Sequence, residues 1–133
     1  MWRDVSWEWG SASNADLSLL YGVVRGGSAS PGGLFAYLVD RRGVRGVYRP
    51  GEMTVTEWQT VRAAGRTIRV PRRFEFRDVR QGMRVAVDVG AVHVTDMARP
   101  SRRWFVQMRG TATVAVAGET LGRLPGFFET YVD

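Results

Sequence analysis

Two residues sit in surroundings that could turn an ordinary side chain into an acid or a base. Glu129 lies between Phe127 and Tyr131. A carboxyl group in apolar surroundings holds its proton to higher pH and can act as a donor. His93 closes the alternating set Met83, Val85, Val87, Val89 and Ala91, whose opposite set contains Arg84 and Asp88. Alternation on a strand then places the histidine at the inner end of an apolar row, where imidazole could serve as acid, base or orienter. Each has a plainer reading: Glu129 as a surface or arginine-paired carboxylate, His93 as a hydrogen-bonded rim histidine. Glu8, Asp16, Glu57 and Asp88 alternate with apolar neighbours and read as solvated.

Other chemistries lack their residues. There is no cysteine and a single histidine, so disulfides, thiolate sites, a nucleophilic triad and a typical zinc site are not expected. Gly26-Gly27 and Gly32-Gly33 are loop glycines with no helix behind them, so no phosphate loop is expected. The expectation is a site with no cofactor and no metal.

The elements that must position these residues are strands. Short alternating segments run over Val5–Ala12, Leu17–Arg25, Gly33–Asp40, Val44–Tyr48, Met53–Ala64, Thr67–Val70, Arg73–Arg80, Met83–Asp96, Trp104–Ala117, Glu119–Leu124 and Phe127–Val132. Turn residues separate them, among them Asn14, Gly43, Pro50-Gly51, Ala64-Gly65, Gln81-Gly82, Ala117-Gly118 and Pro125-Gly126. Thr54–Ala64 is the best helix candidate, but its β-branched alternation reads as a strand. Connections this short exclude parallel crossovers. The predicted class is all-β: one antiparallel, lipocalin-like (calycin) β-barrel of about eight to ten strands, spanning residues 1–133 as a single domain. Closure would remove the edges of long strands such as Met83–Asp96.

The chain holds five Trp, four Tyr and six Phe. Rings in such numbers either fill the core or line a cavity for an extended apolar ligand. Candidate lining residues are Trp7, Trp9, Tyr21, Tyr37, Trp58, Trp104 and Tyr131. The facing of the last segment is open, because Phe127 and Phe128 lie on opposite faces.

The net charge of +6 comes entirely from arginine, for there is no lysine. These arginines are scattered, the densest set being Arg62, Arg66, Arg69, Arg72 and Arg73, so they read as a solvated basic face and no nucleic-acid partner is expected. No apolar run reaches the length of a membrane span and no leader pattern opens the sequence, so a cytoplasmic location is expected.

The opening Trp7-Glu8-Trp9-Gly10-Ser11-Ala12-Ser13-Asn14-Ala15-Asp16 with Leu17-Ser18-Leu19-Leu20-Tyr21-Gly22, and the closing Gly126-Phe127-Phe128-Glu129-Thr130-Tyr131, carry a resemblance. They resemble the C-terminal, lipocalin-like half of the carotenoid 1,2-hydratase (hydroxyneurosporene synthase) family, whose relatives include tocopherol cyclase-like proteins and Diels–Alderases. The resemblance implies two β-rich halves with a pocket between or within them, and cofactor-free chemistry on an alkene or polyene. Matched motifs support Trp7, Trp9, Asn14 and Glu129 as site residues. An Asp-His-Asn-Trp-Gly type motif that the family carries upstream is absent here, so a homodimer or a partner chain is expected to supply the missing half. The leading expectation is a cofactor-independent cyclase, Diels–Alderase-like or hydratase-like, acting on an apolar polyene, terpenoid or polyketide in natural-product biosynthesis, with Glu129 and His93 catalytic. The alternatives are a non-catalytic carrier or sensor of hydrophobic small molecules, and a structural module filled by its own side chains.

Overall fold

The computed structural model describes residues 5–26, 33–51, 53–97 and 103–132; the side chains of 5–7, 24–26 and 103 lie outside the description. The described residues are all-β, with β1 Val5–Ser13, β2 Leu17–Gly26, β3 Phe35–Asp40, β4 Gly43–Tyr48, β5 Thr54–Ala63, β6 Arg66–Asp78, β7 Met83–Met97, β8 Arg103–Val116 and β9 Glu119–Val132. They form one antiparallel sheet in the order β4-β3-β2-β1-β9-β8-β7-β6-β5. This is the lipocalin-like, barrel-type architecture that the alternation predicts.

Eleven segments become nine strands because two proline breaks do not interrupt pairing. Pro71 pairs with Trp58 of β5, just before β6 takes up β7 at Arg73. Pro125 pairs with Thr111 of β8, next to Gly126, where the ladder to β1 begins. In both places the missing N–H falls beside the start of a second ladder, a position where a strand tolerates proline.

The predicted closure is not made. β4 and β5 remain the two edges of the sheet. Side chains bridge the space instead: Arg49 N donates to Asp78 Oδ2 at 2.9 Å, and Gln81 Nε2 donates to the Val47 carbonyl at 2.9 Å. The sheet is nonetheless curled on itself. Tyr21 of β2 meets Phe76 of β6 at 4.8 Å between ring centroids and Phe74 at 6.5 Å, although four strands separate β2 from β6 in the sheet order. Phe128 completes this aromatic plug, 5.9 Å from Phe74.

Gly10 makes the plug possible. A Cβ there would lie 2.5 Å from Phe128 Cδ1 and closer still to the Tyr21 ring. Two hairpin turns, Ala64-Gly65 and Ala117-Gly118, have φ of 49° and 75°, and of 53° and 80°. Positive φ at both central residues is the turn whose twist suits a two-residue hairpin.

Candidate functional site

On the inner side of the sheet, register places Tyr48, Ala36, Tyr21, Gly10, Phe128 and Met108 in one row across six strands. One step along, Glu8 pairs with Val23, and Thr130 with Val106. Thr130 is buried, and its Oγ1 donates to Glu8 Oε1 at 3.2 Å. A carboxylate thus enters a wall that is otherwise apolar. Burial pushes the Tyr21 phenol well above its ordinary pKa, and the charge of Glu8 adds to the rise. Tyr21 therefore keeps its proton at neutral pH and is a standing hydrogen-bond donor.

These groups line a cavity of about 40 Å³, with Met53, Val55, Pro71, Phe74, Met108 and Glu129 as other walls. That volume suits water or a small end group rather than a whole polyene. The rest of the interior is filled by the chain's own side chains, including Phe74, Phe76, Phe128 and Leu124.

The outer side carries a second arrangement. Trp9, Glu129, Gln107 and His93 follow one another across β1, β9, β8 and β7. Trp9 Nε1 donates to Glu129 Oε2 at 2.6 Å, and Gln107 Nε2 approaches Oε1 at 3.4 Å. Phe127 lies 6.0 Å from Trp9, and Tyr131 stacks on Phe105 at 5.2 Å. Burial raises the Tyr131 pKa, with Glu129 adding to it.

The structure thus sorts the predicted residues onto two faces. Phe128 and Thr130 point inward, so Glu129 and Tyr131 point outward with Trp9. The expectation that His93 ends an inward row is corrected. A bulge between Val89 and Ala91 shifts the pairing by one residue, so Val92 and Val94 turn inward and His93 is exposed. A one-residue slip exchanges the faces of every following side chain. Glu129 and His93 are brought into one row, but outside the curled sheet and with Gln107 between them.

Tyr37 is also on the outer side, 5.4 Å from Phe35. Tyr21 and Trp104 are buried in the core. Trp58 is exposed, with the Arg69 guanidinium 4.5 Å over its ring. Asn14 is a turn residue whose Oδ1 accepts from the backbone N–H groups of Asp16 and Leu17 at 2.8 and 2.9 Å. The side chain of Trp7 lies outside the described residues. The expectation that Glu8 is solvated is corrected, since it is half-buried against Thr130 in the inner cavity, and Thr130 carries no expectation from the sequence. The signal was the small pair Gly10 and Ala12 on the face of Glu8, which leaves room for the rings of a packed interior.

A wider groove of about 240 Å³ lies between Thr54, Thr56, Glu75, Phe76, Arg77 and Arg84. Two of its lining residues, Glu75 and Arg84, belong to an ion-pair ladder in which Arg73 meets Asp88 at 2.6 Å and Glu75 at 3.6 Å, while Arg84 also pairs with Glu75. Charged walls of this kind do not suit an apolar ligand. Among the described residues no group of His, Cys, Asp and Glu is placed to hold a metal ion, and no helix is long and apolar enough to cross a membrane.

No family model and no curated protein matches this chain. Among solved structures it is similar to a Nitrosomonas europaea protein provisionally called AttH, at 20% identity and a TM-score of 0.58. The match covers 96% of this chain and 38% of that one, so this chain spans well under half the length of its structural neighbour. At that identity the likeness concerns the fold alone.

Proposed function

We propose that this chain is a cofactor-independent acid–base domain for the end group of an apolar polyene, terpenoid or polyketide. The observation that carries the proposal is the meeting of the Glu8 carboxyl, the Thr130 hydroxyl and the Tyr21 phenol in an apolar cavity. A carboxyl placed there costs free energy that packing alone would avoid, as sites that perform proton chemistry do. The resemblance to the carotenoid hydratase and Diels–Alderase relatives supports the same class of substrate.

Tyr21 donates a hydrogen bond to a carbonyl or hydroxyl at the end of the ligand. Glu8, oriented by Thr130, takes a proton from one carbon of the activated system and returns it at another, so no redox partner is consumed. The rest of the ligand lies past Met53 and Val55, toward the unpaired edge of β5. The aromatic plug of Tyr21, Phe74 and Phe128 sets how deep the end group goes and holds it in one orientation.

A tryptophan-fluorescence titration with a panel of polyenes and terpenoids, followed by product analysis, tests this reading. Saturable quenching with a new product is the expected result. Saturable quenching with the ligand recovered unchanged favours a carrier. No saturable quenching by any ligand overturns the proposal.

A further inference from the structure

Across β4, β3, β2, β1 and β9 the sheet is apolar on both faces. Outside, Val47, Tyr37, Leu20, Ser11 and Phe127 follow one another across β4, β3, β2, β1 and β9. Phe35 and Trp9 flank them in the neighbouring row, which Glu129 and Gln107 continue. Leu20 and Val47 are 45% and 42% exposed. An antiparallel sheet with one solvated face shows polar side chains there, whereas a sheet apolar on both sides is covered on both.

The carboxylate of this face is already held from two sides. Trp9 and Gln107 both direct their N–H groups at Glu129. Groups that satisfy one another in this way can lose water without being orphaned.

We propose that this face packs against the same face of a second copy of the chain, as an isologous dimer. Two observations favour a second copy over an unrelated partner. The net charge is +6, and six exposed arginines lie on β5–β7, at Arg62, Arg66, Arg69, Arg72, Arg77 and Arg84, while others, such as Arg41, Arg42, Arg45 and Arg123, lie around β4 and on β9 outside the two apolar rows. A foreign partner attracted by charge would meet those. The outer face is instead rich in aromatics and poor in charge, the composition of interface cores. Its charged side chains in these two rows are Glu129 and Arg109, of opposite sign and on adjacent strands, since Arg109 pairs with Phe127. A patch bearing one charge of each sign is complementary to itself under a two-fold axis, which sets Glu129 toward Arg109 of the partner subunit.

The extent is adequate. Six strands at about 4.8 Å spacing and about six residues of length give a footprint of roughly 500 Å² before side-chain relief. That approaches the roughly 600 Å² per partner at the lower end of specific interfaces.

Size-exclusion chromatography with light scattering, over a wide dilution series, tests the proposal. Wild type is expected to run as two chains at high concentration. Leu20→Arg and Val47→Arg, both at exposed positions, are expected to run as one chain with unchanged circular dichroism and thermal transition. Arg109→Glu is expected to raise the dimer dissociation constant about tenfold. Val79→Arg, on the exposed turn after β6, is expected to leave the dimer intact. A single chain at every wild-type concentration overturns the proposal, whether or not another partner is later found. So does a dimer that survives Leu20→Arg and Val47→Arg.

Discussion

Thr130 donates a hydrogen bond to Glu8 at 3.2 Å on the inner side of the sheet, while the next residue along each strand, Trp9 on β1 and Glu129 on β9, faces the other way. Two carboxyl side chains on neighbouring strands therefore point to opposite faces of the sheet, although Glu129 also contributes to the cavity wall. The inner one meets the cavity through Tyr21 and Thr130; the outer one is held by an indole N–H.

That separation sets the first prediction. Glu8→Gln keeps the shape of the cavity and removes the proton carrier, so product formation is expected to fall by roughly 10²–10⁴-fold with ligand affinity little changed. Glu129→Gln is expected to leave turnover near wild type. Chromatographic assay of product with both variants decides the matter: loss in Glu129→Gln with retention in Glu8→Gln would move the chemistry to the outer face.

Asp78 governs a second expectation, on acid stability. It is buried, and the backbone N–H of Arg49 holds its carboxyl below the ordinary carboxylate range, with Gln81 assisting against the opposing effect of burial. A depressed native pKa stabilises the fold above the unfolded value near 4, and that contribution fades as pH falls through the native value. Asp78→Asn is therefore expected to cost about 1–3 kcal/mol at pH 7, and less as the pH drops below about 4. Urea denaturation of both proteins across that range measures the gap. A gap that widens in acid contradicts the assignment.

The turns at Ala64-Gly65 and Ala117-Gly118 yield a stabilising prediction. Both alanines hold positive φ, a conformation that an alanine side chain disfavours and asparagine tolerates. Ala64→Asn and Ala117→Asn are each expected to add roughly 0.5–1 kcal/mol. Thermal melts of the single and double variants should show increments that add, because the turns share no contact that would couple them.

Much of the fold was legible because alternation and turn residues are local signals. Asn14, Ala64-Gly65, Gln81-Gly82 and Ala117-Gly118 all mark real turns, and all-β antiparallel pairing follows from them. Less legible was anything that depends on where a ladder begins or slips. Pro71 and Pro125 look like breaks until the second neighbour is known. Facing on β9 was undecidable with Phe127 and Phe128 adjacent. It is settled by Gly10, whose bare Cα on β1 accepts the rings of Tyr21 and Phe128. The slip on β7 was hidden because Val89, Ala91, Val92 and Val94 supply apolar residues in both registers.

That slip can be tested through its glycines. At Gly90 an added Cβ would meet only the Arg109 carbonyl oxygen, at the ordinary distance of 3.5 Å. Across the ladder, a Cβ on Gly110 would collide with the Asp88 carbonyl oxygen and lie 3.1 Å from Val89 Cα, both backbone atoms that cannot swing aside. Gly90→Ala is thus expected to be neutral or to gain about 0.4–1 kcal/mol by restricting the unfolded chain. Gly110→Ala is expected to lose about 1–3 kcal/mol. Deleting Gly90 should be worse than either, because it turns His93 inward and drives Val92 and Val94 into water. Equilibrium unfolding of the three variants orders them. A deletion as stable as wild type would mean that the bulge does not set the facing of His93.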